Sequence, residues 1–425
     1  MRRKGQLHLF LILALSLSLF TVMAFNLLNL VAAAPSSDWG QFHGDAAHNG
    51  YSNSKGPVYP VMAWNSSVGY TNIGLIAGGG ELVFSSPASS YPPDTYAVIS
   101  ETNGSLLYNI QSLPPANSYA VISGSSVFNV AERNRLSSCN LATGAFQWGV
   151  NIPQGSKPSV FYGSAGVSYY LGQVFGVSFG ASTITALSSS SGSQNWQVNL
   201  AGAIDTIPTI GNGVLVVGFS NLQGISAVSA TSGAQLWNFT ANGLVNACPA
   251  YDSDSANFFF GTLNGTLYCV SQSGQQIWAN HVGNGIETTP TIANGLVFFG
   301  TDNGTLLALN STSGNVAWQL ATKSQLLSPP AVASNGILYQ ATSGGLLYAF
   351  SAANGTGLWT YNLGYGVSAS PVIDNGEIFL VDSQGTIFAI ANSSPPVPEL
   401  TPVALIAIFA VVSGAVALYK RPRAS

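Results

Sequence analysis

Three observations predict an all-β fold: an eight-bladed β-propeller of four-stranded antiparallel blades. First, a glycine stands four residues before an aromatic at Gly104/Tyr108, Gly144/Trp148, Gly192/Trp196, Gly233/Trp237, Gly274/Trp278, Gly314/Trp318 and Gly355/Trp359. Successive aromatics are 40, 48, 41, 41, 40 and 41 residues apart, and Trp64 precedes Tyr108 by 44. A period near 40 suits one propeller blade. Second, each period divides into four short apolar runs separated by turn residues. Third, adjacent columns of the third run are bulky in one case and mostly small in the other.

Residues 287–318 show the order within one unit. Pro290 opens a first strand at Thr291-Ile292, and Asn294-Gly295 makes a two-residue turn whose central positions both need positive φ. Leu296 to Gly300 is the second strand, Asp302-Asn303-Gly304 turns, and Thr305 to Asn310 is the third. Ser313-Gly314 turns again into a fourth strand, Asn315 to Trp318. The third strands align Ile99, Cys139, Leu187, Val228, Val270, Leu309, Phe350 and Ile390. One residue earlier stand Val98, Ser138, Ala186, Ala227, Cys269, Ala308, Ala349 and Ala389. Such units bury their faces only by stacking on neighbours.

The eighth unit, about Thr360 to Ala391, has three strands and lacks the Gly-x-x-x-Trp ending. Val58 to Trp64 supplies the missing strand from the N-terminal side, which leaves the ring no free end. The propeller is thus expected over 58–392, with a leading segment at 35–57.

Both ends read as membrane segments. Arg2, Arg3 and Lys4, an apolar run and Ala32-Ala33-Ala34 have the order of a signal peptide or, uncleaved, a signal anchor over 1–34. After a Pro-rich spacer at 393–399, residues 400–425 form a charge-free apolar stretch of spanning length and a basic tail. Positive charge at both ends predicts both in the cytoplasm and the body outside, on the cell membrane. Pro398-Glu399 before that stretch resembles archaeal surface-protein sorting signals; a plain anchor is the other reading.

Charged residues are only 6% of the chain. Between Ser36 and Pro396 there are 5 Lys/Arg against 14 Asp/Glu, a net of −9. An acidic body without a basic patch argues against nucleic acid as a partner.

The pattern Asn-Gly-x-x-Phe-Phe-Gly-Thr-x-Asn-Gly-x-Leu-x-Ala-Leu-(x)4-Gly-x-x-x-Trp of residues 294–318 resembles the pyrroloquinoline-quinone-like propeller repeat. So does the leading segment Trp39-x-x-Phe42-x-x-Asp45, ending in Gly50-Tyr51-Ser52. The resemblance covers roughly 39–392. It implies either a quinone- and calcium-dependent dehydrogenase or a scaffold without cofactor, like an outer-membrane assembly member. The dehydrogenases use adjacent cysteines, a calcium held by Glu, Asn and Asp, a catalytic Asp and a basic residue. Here Cys139, Cys248 and Cys269 are all separate, and two of them fall in the packing columns. The only bases within the blades, Arg133, Arg135, Lys157 and Lys323, stand outside the rim column.

That rim column, three residues before each first-strand proline, holds Asp205, Asn246, Glu287, Leu327 and Ser368. Asp205, Asn246 and Glu287 are consecutive in the ring, and their oxygens suit a hard cation such as calcium or a polar ligand; the alternative is a solvated rim. Asp302 and Asp382, in turns on the same face, complete the candidate set, with His281 nearby. An acidic-rim carbohydrate-active enzyme is a further reading. Its paired Asp205 and Glu287 would need carboxyls within about 5–10 Å, yet they stand two blades apart.

Weaker signals have bland readings. Gly176-Val177-Ser178-Phe179-Gly180 needs a strand-turn-helix setting to serve as a hydrolase elbow, and strand-rich surroundings disfavour it. His43 and His48 lack a third metal ligand nearby, and Asp252-Ser253-Asp254 reads as a hairpin turn. Sequons at Asn65, Asn103, Asn238, Asn264, Asn303, Asn310, Asn354 and Asn392 permit glycosylation. These observations lead to one expectation: a non-enzymatic, cell-surface propeller, without cofactor, that presents its loops to protein or glycan partners.

Overall fold

The computed structural model describes residues 39–67, 74–86, 95–110, 119–131, 134–153, 166–178 and 180–393. The expected signal or anchor at 1–34, the spacer beyond Ser393 and the flanking helix at 400–425 lie outside them. Among the described residues no helix is long and apolar enough to cross a membrane.

The chain forms eight four-stranded antiparallel blades. Blade 1 comprises Ile76–Gly78, Glu81–Ser86, Thr95–Ser100 and Leu106–Ile110, and blade 2 comprises Val121–Ser123, Ser126–Ala131, Arg135–Asn140 and Phe146–Asn151. Blade 3 follows with Gly166–Tyr170, Gln173–Val177, Thr183–Ser188 and Gln194–Asn199, and blade 4 with Thr209–Gly211, Val214–Gly218, Ile225–Ser229 and Gln235–Phe239. Blade 5 is Ala250–Asp252, Asn257–Gly261, Thr266–Ser271 and Gln276–His281; blade 6 is Thr291–Ala293, Leu296–Gly300, Thr305–Asn310 and Val316–Ala321. Blade 7 is Ala331–Ala333, Ile337–Ala341, Leu346–Ser351 and Gly357–Asn362. Blade 8 takes Val372–Asp374, Glu377–Val381 and Thr386–Asn392 from the C-terminal side and Pro60–Ser67 from the N-terminal side. The pairing runs from Pro60↔Asn392 to Ser67↔Thr386, so both chain ends close the ring.

The turns fall at the residues expected to turn. Asn294 and Gly295 both have positive φ, 52° and 74°. The fourth strand differs from expectation: in blade 6 it continues past Trp318 to Ala321. A bulge between Ala308 and Leu309 in the pairing makes room for the tryptophan. The same irregularity accompanies Trp148, Trp196, Trp237, Trp278 and Trp359.

This bulge turns each indole toward the next blade. Trp318 Nε1 donates to the Ala352 carbonyl at 3.0 Å, and a Cβ on Gly355 would stand 2.9 Å from Trp318 Cε3. The contact repeats as Trp148 to Ser189, Trp196 to Ala230, Trp237 to Gln272 and Trp278 to Ser311. It continues across the closure, since Trp359 donates to Pro57 and Trp64 to Glu101. The blades between these contacts are sealed by the bulky and small columns, all buried from Val98 and Ile99 to Ala389 and Ile390.

The leading segment is part of this fold. Each innermost strand has one edge facing the central channel, where an unpaired backbone group would be costly. Trp39 and Gly40 carbonyls accept from Ala77 and Ile122, in blades 1 and 2. The Gln41 amide takes the backbone of Tyr169 in blade 3 through two hydrogen bonds. Ala46, Ala47, Asn49 and Gly50 carbonyls accept from Ile210, Tyr251, Ile292 and Val332, in blades 4 to 7. Ser52 Oγ then donates to Ile373 in blade 8. The segment thus visits all eight blades in ring order.

Candidate functional site

The rim residues stand above this segment at the starts of the first strands. Asn246, Glu287 and Ser368 are exposed, Leu327 is 38% exposed and Asp205 is half-buried. Asp205 lies beside Cys248, whose Sγ accepts the Ile207 N–H at 3.3 Å. Burial pushes the Cys248 thiol up to about 12, more than its hydrogen bonds from Ile207 and Thr289 bring it down. It is therefore a packing thiol at neutral pH rather than a nucleophile.

Glu287 has Asp302 as its charged neighbour. Partial desolvation first, and the Asp302 charge second, raise the Glu287 carboxyl above its ordinary range. Desolvation raises Asp302 too, and its Oδ1 is buried without a protein partner. Asp382 is placed differently. Its Oδ1 accepts the N–H groups of Gln384 at 2.9 Å and Thr386 at 2.8 Å. The hydroxyls of Thr262, Thr301 and Thr342 accept the matching N–H in blades 5 to 7. Asp382 stands in that threonine position, one step from the Asp302 position, and caps its own turn. His281 is also away from the rim column, with Nδ1 3.1 Å from Thr266 Oγ1 on the outer part of blade 5. Among the described residues no three His, Cys, Asp or Glu side chains gather as a metal centre would require.

Below the rim the channel is filled. Phe42, Ile207 and Cys248 form a buried cluster with Tyr119 packed against it. The Phe42 and Tyr119 rings meet edge-on with centroids 4.6 Å apart. His43 and His48 flank Phe42 and are buried. His43 bonds the carbonyls of His48 and Pro330 and the Thr291 hydroxyl, and His48 Nδ1 bonds the Thr209 hydroxyl. Both are structural groups of the leading segment. The circuit itself escaped sequence reasoning. The stretch from Gly40 to Gly50 mixes glycine and alanine with Gln41, Phe42, His43, Asp45, His48 and Asn49, and has no period that would mark an element.

The remaining motifs resolve plainly. Gly176 and Val177 end a strand, and Ser178 is buried with no helix after it among the described residues. Asp252 accepts from Asp254 N–H and Ser255 Oγ within a hairpin.

A flat, polyanionic quinone with calcium does not fit these residues. The three thiols are buried and none is joined to another in a disulfide. Aromatic rings fill the axis under the rim, and Arg135 is spent over the Phe146 ring, 5.2 Å from its centroid.

The sequence profile of the outer membrane protein assembly factor BamB family matches residues 62–223, 221–331 and 322–394. No curated relative matches the chain by sequence. Among solved structures, BamB from Moraxella catarrhalis superposes with TM-score 0.61 at 14% identity, covering 78% of this chain and 97% of that one. The quinohemoprotein alcohol dehydrogenase of Comamonas testosteroni gives 0.66 at 15%, over 87% and 83%. The computationally designed Ika8 protein gives 0.64 at 14%, over 77% and 98%. At such identities these likenesses carry the fold alone; the profile carries the family, and the chain belongs to the outer membrane protein assembly factor BamB family of propellers.

Proposed function

We propose that the chain is a non-enzymatic binding propeller that holds protein or glycan partners on its rim face, outside the cytoplasm and tethered to the cell membrane by its C-terminal stretch. The filled channel carries this reading. With Phe42 and Tyr119 on the axis, a partner meets a broad face edged by Asn246, Glu287, Leu327, Tyr365 and Ser368 rather than a deep pocket. Family membership supports it, since the assembly factor that names the family shares the fold. The apolar and basic chain ends motivate the location.

The test has two parts. Pyrroloquinoline quinone with calcium is added to the protein while tryptophan fluorescence and dye-linked alcohol oxidation are followed. Neither should respond, and saturable quenching with turnover would make this an enzyme. A photo-crosslinker at Ser368 is then compared on intact cells with one at Ser232, which lies in an outer turn between third and fourth strands. Crosslinks to a partner at Ser368 but not Ser232 are expected; equal labelling would remove the rim face from the proposal. Calorimetric calcium titration of Asp205→Ala and Glu287→Ala tests cation binding: loss relative to the parent would assign the rim to a cation.

A further inference from the structure

Blades 5 and 6 leave a cleft of about 280 Å³ between their outer strands, outside the rim column. Its polar lining comes from Asn280, His281, Asn284, Thr301, Thr305 and Gln319, and its apolar lining from Val282, Leu307 and Val316.

Two positions shape it. The residue paired with the one after the tryptophan is aromatic in blades 5, 7 and 8 (Tyr268, Tyr348 and Phe388), Leu307 in blade 6, and small in blades 1 to 4, as Ala97, Ser137, Thr185 and Ser226. Between blades 4 and 5, Tyr268 fills the corresponding space, with Phe239 edge-on at 5.4 Å and its hydroxyl accepting Asn242 N–H. Leu307 leaves that volume open. The second position is two residues after the tryptophan, where Ile110, Val150, Val198, Phe239, Leu320 and Tyr361 are apolar, while blade 5 has Asn280 and blade 8 has Ser66. At the seams of blades 4 and 5, 6 and 7, and 7 and 8 the pair is Phe239 with Tyr268, Leu320 with Tyr348 and Tyr361 with Phe388; between blades 5 and 6 it is Asn280 with Leu307, more polar and smaller.

The polar groups are oriented. Asn280 Nδ2 donates to the Gly314 carbonyl at 2.8 Å, which leaves Oδ1 to accept from the cleft. Thr266 Oγ1 accepts from Asn242 Nδ2 and can give its proton to His281 Nδ1. The imidazole then carries its hydrogen on Nε2, as a donor.

We propose that this cleft binds one neutral sugar ring. Amides and hydroxyls that both donate and accept match vicinal hydroxyls, while Val282, Leu307 and Val316 suit the C–H face of a pyranose. No Asp, Glu, Lys or Arg lines the cleft, so a charged ligand would be desolvated without a counter-charge. The volume lies just under the roughly 300–1,000 Å³ of pockets for drug-sized ligands, which fits one ring rather than a chain. This assignment is independent of the rim reading above.

The test uses the full-length protein with glucose, galactose, mannose and N-acetylglucosamine, each titrated into the millimolar range by saturation-transfer NMR. At least one should bind saturably. Leu307→Tyr installs the side chain that two other blades carry and fills the cleft; it should weaken binding at least tenfold with the melting temperature unchanged. Gln319→Ala, at an exposed position, should weaken the same sugar several-fold and serves as the second variant. Absence of saturable binding by all four sugars, or undiminished binding in both variants, overturns the proposal.

Discussion

At the residue scale, the glycine-aromatic signature was legible as a period but not as a contact. Its spacing located Trp318 and Gly355, yet nothing in one repeat says that the indole of one blade docks on the glycine of the next. The structure assigns both a role, and Trp318→Phe isolates the hydrogen bond to Ala352. Losing that bond while keeping most of the packing should lower unfolding free energy by about 1 kcal/mol in urea denaturation. His48 shows a different gap between sequence and structure. Its sequence setting, without a third metal ligand nearby, pointed to a structural role but not to its place in the core; burial pulls it down to about 3, with the His43 charge a second cause. The unfolded chain binds a proton at about pH 6.5 and the folded chain does not, so stability should fall as pH drops from 6.5 toward 3. His48→Gln should flatten that limb of the melting-temperature profile. An unchanged slope would mean that other groups control it.

At the scale of the element, strand order and turn type were readable because four apolar runs and Asn-Gly pairs recur at fixed offsets. The bulge at each tryptophan was not, since it adds a residue without changing the pattern around it. Asp382 shows how a repeat corrects a single-residue reading. As an acid on a loop it looked like a ligand; aligned by structure it occupies the position of Thr262, Thr301 and Thr342 and serves the same turn. Asp382→Thr should therefore leave stability within about 0.5 kcal/mol of the parent. Asp382→Ala, which leaves the Gln384 and Thr386 N–H groups without their acceptor, should cost about 1–3 kcal/mol by the same denaturation measurement. Equal effects of the two changes would show that the carboxylate, not the turn, is what matters there.

For the whole molecule, the blade count and the N-terminal closing strand were legible because one unit lacked a strand and Val58 to Trp64 supplied one. The chemistry of the seam was hidden, because its acids are nearly 280 residues apart in sequence. Glu101 of blade 1 is buried at the seam with blade 8, where Asn375 Nδ2 donates to its Oε2 at 2.8 Å and Asp374 and Glu377 lie close. Burial first, and the Asp374 charge next, push Glu101 up to about 8. A carboxyl raised this way is protonated in the folded ring while the unfolded chain has already ionised, so stability should fall as pH rises from about 4.5 and level off beyond 8. Glu101→Gln keeps the shape and an acceptor for Asn375, and its amide can donate to Asp374 without ionising. Its melting temperature should be nearly flat between pH 5 and 9, and above the parent's at pH 9. A variant that tracks the parent through this window would show that the seam carboxyls do not govern closure. Since the closing strand lies in the same sheet as Asp374, the alkaline loss should be accompanied by faster proteolysis near Pro60 in the parent alone.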